Sequence, residues 1–375
     1  MILRGQFHKD RNAYVSAQEP GIFHCHHYNT YLQAVIEDTH SYLDVFPILI
    51  ESAQEITNTQ FNTFFKTEKL DIAQRKKVVE DYFSFCGFGI INLNSLTNNG
   101  GTTNSISDHY ATGWESKFGE RPADQKGVSF FTLGYIIGAT EAVYDLPLGT
   151  LTGEQTACIA KGDSQSTFEL RKSEKKTLEE SPKEGKFQTA DLPKPTDTNV
   201  DYSGIREALI NMPLQGSEKD GLIDAFGVLL TRMYSNYYCL ISYKFFKLFE
   251  EKMGEDGISM ACELLTEAGH VCAFNTFGGI MQSAEWNGLI KPTLESKTDW
   301  VHGVVAVVNS FGWGFWEIEE LIPDKKLVIK ITSGYESNSY LNKYEESKFP
   351  ISFLATGGTA GIMNLVYNTI LRNGN

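Results

Sequence analysis

The chain has 375 residues, a formal net charge of −14 at pH 7 and a pI near 5.1. This acidity argues against a broad phosphate-binding surface, and we expect no nucleic-acid partner. The length exceeds what one hydrophobic core usually fills, so two domains are expected. Residues 1–6 do not resemble a signal peptide, no run is long enough to span a membrane, and the six cysteines form no paired framework. These features predict a cytoplasmic protein.

The sequence repeats itself in order, with slowly drifting spacing. Residues 21–31 align with 227–237 at a shift of 206, which pairs Tyr28 with Tyr234. Further matches follow at shifts of 213 to 225: Phe61-Asn62 with Phe274-Asn275, Gly87 and Gly89 with Gly312 and Gly314, and Gly134 and Gly138 with Gly357 and Gly361. Repeats of this length are domains rather than solenoid units. We therefore predict a tandem pair that forms a pseudo-dimer, with domain 1 at 1–171, a charged linker at 172–204 and domain 2 at 205–375.

The first copy is predicted to begin with two helices and to end with a hairpin. Apolar residues at helical spacing indicate helices over 28–45 and about 48–65. Residues 148–170 are typical of two strands that turn at Gly162-Asp163. The second copy stops before such a hairpin, so domain 2 is expected to lack it.

The second copy is predicted to follow the same order. Helices are expected over 234–253, which ends at Gly254, and about 258–278. The apolar runs 300–308, 312–318 and 326–333 predict strands, the last two joined by a turn at 323–326. Residues 353–367 predict a helix that is rich in small residues, with Gly357 and Gly361 on one face. Glycine costs a helix about 1 kcal/mol relative to alanine, which indicates a close neighbour or a ligand at that face.

Taken together, the order of elements resembles the V4R (4-vinyl reductase) family of predicted hydrocarbon-binding proteins. The resemblance rests on the Gly-x-Gly hairpins, the Gly-x-x-x-Gly helices and the stretch 153–163 with Cys158. It implies a mixed α/β (α+β) fold in which each domain packs helices on an antiparallel sheet. It also implies dimerisation and an apolar pocket for a small ligand. Gln165-Ser166-Thr167-Phe168 stands where a second metal-binding cysteine would be expected, which argues against a zinc site of the family kind.

The densest polar cluster is His24-Cys25-His26-His27. In an extended strand His24 and His26 point one way while Cys25 and His27 point the other. Imidazoles in this pattern predict a transition-metal site, zinc or iron, with His24, His26 and His27 as ligands. Cys25 and His27 are the candidate catalytic pair. The alternative is a set of hydrogen-bonded histidines at a helix N-terminus or a domain interface.

Aromatic residues beside the glycine-rich elements are candidates for a ligand pocket. The predicted ligand-binding residues are Tyr28, Phe61, Asn62, Phe88, Phe274, Asn275 and Trp313. Core packing is the alternative role for the aromatic rings, and capping of a turn is the alternative for the asparagines.

These features favour a protein that binds a small aromatic or hydrocarbon-like molecule as a sensor, carrier or sequestering protein. The alternative is a metal-dependent enzyme acting on a small organic molecule, centred on residues 24–27. No membrane span is expected, and a further homodimer stays open.

Overall fold

The structure, a computed structural model, describes residues 3–174, 178, 188–344, 346–347 and 349–370, without the side chains of residues 369 and 370. The described residues form a mixed α/β fold in which helices pack on antiparallel sheets. Residues 175–177 and 179–187 of the predicted linker lie outside the described residues, as does the end of the chain from residue 371.

The first half of the chain, residues 3–174, contains seven strands and five helices among its described residues. The strands are β1 (Gln6–His8), β2 (Ala13–Ser16), β3 (Glu19–Cys25), β4 (Gly89–Asn92), β5 (Gly101–Asp108), β6 (Leu151–Ala157) and β7 (Ser166–Lys172). The helices are α1 (His26–Glu37), α2 (Phe46–Thr67), α3 (Ile72–Phe85), α4 (His109–Phe118) and α5 (Phe130–Val143).

The second half, from residue 202, contains four strands and seven helices among its described residues. The strands are β8 (Ile223–Ala225), β9 (Val228–Tyr234), β10 (Phe315–Ile322) and β11 (Lys326–Thr332). The helices are α6 (Tyr202–Ile210), α7 (Ser235–Met253), α8 (Glu255–Ile280), α9 (Ala284–Leu289), α10 (Lys297–Val308), α11 (Tyr335–Leu341) and α12 (Phe353–Met363). A π-helical segment, Asn364–Ile370, continues α12.

One sheet joins the two halves. Its strand order is β1-β2-β3-β9-β8, and β3 pairs antiparallel with β9. The other sheets belong to single halves: β4-β5-β7-β6 in the first and β10-β11 in the second. The predicted hairpin at 148–170 is therefore present as β6 and β7, with Gly162 in the left-handed region at φ +88°.

The glycine pairs occupy similar turns in both halves. Gly87 and Gly89 have φ of +82° and +122°, and Gly312 and Gly314 have φ of +87° and +111°. Residues with a side chain rarely adopt these angles, so glycine is required there. This is a local reason for the recurrence of the Gly-x-Gly motif.

The helical glycines make room for a neighbouring backbone. A Cβ atom on Gly138 would lie 2.2 Å from the carbonyl oxygen of Gln54 in α2, and one on Gly357 would lie 1.9 Å from that of Thr266 in α8. The absence of a Cβ atom therefore lets α5 pack closely on α2 and α12 on α8. Of the two explanations for these glycines, close packing is the one that the structure bears out.

The segment 300–308 is a helix, and the predicted strand is wrong. It lies within α10, which begins with a capping box between Ser296 and Asp299. Val301, Val305 and Val308 are fully buried. Because α10 is buried on nearly every side, its sequence lacks the polar face that reveals most helices.

The pairing of Tyr28 with Tyr234 is also wrong. Tyr28 is the third residue of α1, whereas Tyr234 is the last residue of β9. The third residue of α7 is Tyr237, so the shift between the two helix starts is 209 rather than 206. Tyrosines at 234, 237 and 238 allow a three-residue slip that residue identity alone does not detect.

Candidate functional site

The side chain of His24 lies in a cage of aromatic rings at the junction of the two halves. It projects from β3, where alternate residues face opposite sides of the sheet. Four rings have centroids within 6 Å of the imidazole: Trp313 at 4.3 Å, Tyr28 at 4.5 Å, Tyr238 at 5.0 Å and Tyr335 at 5.8 Å. The first half thus supplies His24 and Tyr28, and the second half supplies the other three rings.

The imidazole of His24 is a buried polar group without a protein partner. It is 2% exposed, and neither ring nitrogen has a hydrogen-bond partner among the described residues. Burial lowers the pKa of His24 well below its usual value, so the ring is neutral at physiological pH. A neutral imidazole offers one donor and one acceptor, and leaving a buried polar group unsatisfied costs about 1–3 kcal/mol.

A cleft adjoins this cage. Tyr28 and Tyr238 form part of its wall and separate it from His24. The rest of the wall comes mainly from α7, α11 and the start of α12, and includes Ser242, Tyr243, Phe246, Glu336, Tyr340 and Phe353. The cleft is narrow, with a free volume of about 30 Å³, and it opens to solvent. Its surface is largely aromatic with a few polar groups, which suits a small organic ligand.

Glu336 is the carboxyl group of this cleft. It accepts hydrogen bonds from the backbone N–H groups of Leu354 at 2.9 Å and Ala355 at 3.1 Å, in the first turn of α12. Burial raises the pKa of Glu336 to about 7, against the opposing effect of these N–H groups. Glu336 therefore joins α11 to α12 and positions the cleft wall that Phe353 completes.

A polar network holds Tyr238 from behind. Its hydroxyl donates to Oδ1 of Asn29, whose Nδ2 contacts Nε2 of His109 at 2.9 Å and Oγ1 of Thr231 at 3.1 Å. Burial lowers the pKa of His109 well below its usual value, so the ring is neutral. Its Nε2 faces the Nδ2 donor of Asn29 and therefore accepts, which assigns the proton to Nδ1. These bonds connect residues of both halves and fix the ring that separates His24 from the cleft.

Two of the predicted ligand-binding residues, Tyr28 and Trp313, meet at His24. The other five lie elsewhere. Phe61 and Phe88 are core residues of the first half, packed on Tyr82 and Phe131 respectively. The remaining three are on helix surfaces: Asn62 donates to Asn58, Asn275 is exposed and donates to the carbonyl of Val271, and Phe274 is half-buried.

The three predicted metal ligands do not converge. His24 lies in the aromatic cage, whereas the rings of His26 and His27 contact each other with centroids 4.0 Å apart. Nδ1 of His26 accepts a hydrogen bond from the N–H of Leu229 at 3.2 Å. In the part of the chain that the structure describes, no three His, Cys, Asp or Glu side chains are grouped to hold a metal ion. The start of α1 at His26 ends the strand geometry, so the imidazole of His24 lies apart from those of His26 and His27.

The predicted catalytic pair, Cys25 and His27, lacks the geometry of an activated nucleophile. The Cys25 sulfur lies 2.8 Å from Oγ1 of Thr276 and is buried, and burial raises the pKa of the thiol. Burial also lowers the pKa of His27, to about 3. A reactive cysteine needs a lowered pKa, so these shifts oppose nucleophilic catalysis.

Sequence reasoning missed four residues as members of a ligand site: Tyr238 and Tyr335 contact His24, and Asn29 and His109 hold Tyr238 in place. Each belongs to a helix or a helix start whose local sequence indicates only packing. The contacts of Tyr238 and Tyr335 with His24 connect residues more than 200 positions apart. The adjacent tyrosines 237 and 238 were the one available signal, because a tyrosine pair in a buried helix stripe needs polar partners.

Comparisons with known proteins add little to this geometry. No protein-family model matches the sequence, and no curated protein matches it. Among solved structures, the chain is similar to the crystal structure of the phenol-responsive sensory domain of the transcription activator PoxR with phenol, at 12% identity and a TM-score of 0.37. The match covers 45% of this chain and 85% of that domain. Separately, no helix in the described residues has the length and apolar character needed to cross a bilayer.

Proposed function

We propose that this protein binds a small, neutral aromatic molecule in the cleft beside His24. One observation carries the proposal: a fully buried, neutral imidazole has both nitrogens unpaired inside a cage of four aromatic rings. A molecule with an aromatic ring and one polar group satisfies both features. Its ring stacks on the tyrosines of the cleft, and its polar group reaches His24 when the ring of Tyr28 turns aside.

The chemistry of the cleft favours a neutral ligand over an ion. The Glu336 carboxyl group is occupied by backbone N–H groups, and His24 is uncharged. Aromatic rings stacked at 4.5–7 Å contribute about 0.5–1.5 kcal/mol per pair beyond the area that they bury. A largely aromatic cleft with few polar groups fits a binding role as a sensor, carrier or sequestering protein.

The V4R resemblance and the tandem duplication belong to the same proposal. The paired glycine turns and the paired close helix contacts support two related halves, with the β3–β9 ladder at their junction. In this arrangement the ligand site is shared between the halves of a pseudo-dimer. That sharing accounts for the two residues that the first half contributes to the cage, His24 and Tyr28.

Isothermal titration of the full chain with phenol, toluene and cyclohexanol tests the proposal. We expect both aromatic probes, phenol and toluene, to bind more tightly than cyclohexanol, which has no aromatic ring. Phenol should bind more tightly than toluene, because its hydroxyl can pair with His24. Ser242→Phe places a large side chain in the cleft, and it should weaken binding at least ten-fold. The matched control is Ser164→Phe, at an exposed position between β6 and β7, which should leave affinity unchanged.

Two results would count against the proposal. One is the absence of binding heat with both aromatic probes. The other is equal loss of affinity in Ser242→Phe and Ser164→Phe. Far-ultraviolet circular dichroism of each variant shows whether a loss of binding comes from unfolding.

A further inference from the structure

We propose that each chain binds a single ligand, because the position in the first half that corresponds to the cleft is closed by the protein's own side chains. The inference rests on the proposed function and specifies its stoichiometry. It also assigns different roles to the two halves. The second half provides most of the binding cleft, and the corresponding position in the first half is closed.

The correspondence between the halves follows from the central ladder. Phe23 of β3 pairs with Arg232 of β9. The N–H of Phe23 donates to the carbonyl of Phe311 at 2.9 Å, and the N–H of Arg232 donates to that of Cys86 at 2.8 Å. Phe311 and Cys86 each precede the first glycine of a Gly-x-Gly turn. A two-fold rotation about the Phe23–Arg232 pair therefore exchanges the halves.

The same two-fold rotation relates the tyrosines around the cage to tyrosines of the first-half position. The hydroxyl of Tyr28 in α1 lies beside Tyr335 at the start of α11, and that of Tyr237 in α7 lies beside Tyr110 at the start of α4. Tyr28 and Tyr237 are each the third residue of their helix. The pair Tyr110 and Tyr237 thus marks the position in the first half that corresponds to the cage.

The corresponding cleft in the first half is filled by polar side chains. Ser242 and Phe246 line the cleft from α7, and the equivalent positions of α1 are Gln33 and Glu37. Nε2 of Gln33 donates to Glu37 at 2.8 Å and to the carbonyl of Val128 at 2.9 Å. Nη2 of Arg121 donates to Glu37 at 2.5 Å, and the two side chains are 4% and 8% exposed.

The interior beside that position is also filled. The hydroxyl of Tyr234, the last residue of β9, donates to Oε1 of Gln60 at 2.7 Å. Its ring lies among core rings, with centroids 6.1 Å from Phe88 and 6.2 Å from Phe131. At the end of β3 the equivalent residue is Cys25, whose sulfur contacts Thr276. Tyr234 and Cys25 thus occupy equivalent places, with a large side chain in the first half and a small one in the second.

Opening the first-half position would break the Glu37–Arg121 pair and bury unpaired charge, which is costly. Opening the cleft moves the neutral ring of Tyr28 and leaves no unpaired charge. The two positions therefore differ in accessibility although the backbone relates them, and a small neutral aromatic ligand has one site per chain.

Fluorine NMR of the full chain with 4-fluorophenol tests the stoichiometry. We expect one bound environment and saturation at one probe per chain. Ser242→Leu should reduce affinity at least ten-fold, because it narrows the cleft. Gln33→Leu is the matched change in α1. It leaves the Glu37–Arg121 pair in place and should alter affinity less than two-fold, with thermal unfolding as the check that each variant is folded.

The outcomes separate the inference from the proposed function. Two bound environments, or saturation at two probes per chain, would overturn the single-site inference and leave the proposed function intact. Loss of binding in Gln33→Leu but not in Ser242→Leu would also overturn the inference, because it would place the ligand in the first half. If neither 4-fluorophenol nor fluorobenzene binds the wild-type chain, both fail.

Discussion

The imidazole of His24 stacks on the indole of Trp313, with ring centroids 4.3 Å apart and planes inclined by 26°. The indole is held in place because its Nε1 donates to the carbonyl of Phe23 at 2.8 Å. The stack therefore joins β3 of the first half to the Gly-x-Gly turn of the second. It leaves both nitrogens of His24 without a hydrogen-bond partner among the described residues.

Replacing His24 with phenylalanine should separate ligand binding from stability. His24→Phe keeps an aromatic ring in the stack and removes two unpaired polar atoms, so we expect the free energy of unfolding to stay the same or rise by about 1–2 kcal/mol. Affinity for 4-fluorophenol should fall at least ten-fold, while that for fluorobenzene should be retained. Urea unfolding and fluorine NMR measure the two effects.

The control for this change is His26→Phe. It removes the hydrogen bond from Leu229 and should cost about 1 kcal/mol without changing affinity. A large loss of stability in His24→Phe, with unchanged affinity for 4-fluorophenol, would assign His24 a structural role instead.

The pH dependence of stability should show the buried state of His24. Burial lowers the pKa of His24 in the folded protein, so between that pKa and about 6.5 the unfolded chain binds more protons. The stability difference between wild type and His24→Phe should therefore shift against the wild type as pH falls below about 6.5. Urea unfolding at several pH values from 7.5 downwards measures it. A difference that does not change with pH would mean that the imidazole is hydrated.

Glu336 should show the opposite sign. Its pKa is raised to about 7, so the folded protein binds the extra proton between about 4.5 and 7. The associated stability is present below pH 4.5 and is lost as pH rises towards 7. Glu19 and Glu141 have pKa values raised to about 7 as well, so the comparison of wild type with Glu336→Gln isolates this one group. The stability advantage of wild type over the variant should decrease across that window in urea titrations.

The helical glycines should be intolerant of alanine where they meet a backbone. Gly138→Ala would place its Cβ atom 2.2 Å from the carbonyl oxygen of Gln54, and we expect a loss of roughly 1–3 kcal/mol or more. Gly358→Ala is the matched control, because the nearest atom to its Cβ would be 3.8 Å away. That change should stabilise α12 by about 1 kcal/mol through helix propensity. Equal effects in thermal unfolding would refute the close-packing explanation.

The buried ion pair should matter far more than an exposed one. Arg121→Leu leaves the Glu37 carboxyl group buried without its cation, which typically costs about 3–5 kcal/mol. Arg171→Leu breaks the pair with Glu154, whose side chains are 62% and 59% exposed, and should cost less than about 1 kcal/mol. Chemical denaturation of both variants provides the comparison, and similar losses would show that Glu37 and Arg121 are solvated.

Much of the secondary structure follows from the sequence alone. The helix predicted at 234–253 ends at Gly254, as α7 does, and the strands on either side of residues 323–325 are β10 and β11. These elements have a clear apolar period and strong terminating residues, so local preferences decide them. The glycine turns are determined equally locally, since only glycine readily adopts their backbone angles. The strand predicted at 300–308 failed because complete burial of α10 removes the period.

The candidate site depends on tertiary structure. The sequence identifies Tyr28 and Trp313 as candidate ligand-binding residues and His24 as a polar group of interest, but it suggests a metal site from three neighbouring histidines. The strand ends at Cys25 and α1 begins at His26, so the imidazole of His24 lies apart from those of His26 and His27. The antiparallel register of β3 on β9, and the packing that it imposes, decide which distant rings surround His24. A one-residue slip in that register would turn His24 to the other face of the sheet, and no local preference specifies the choice.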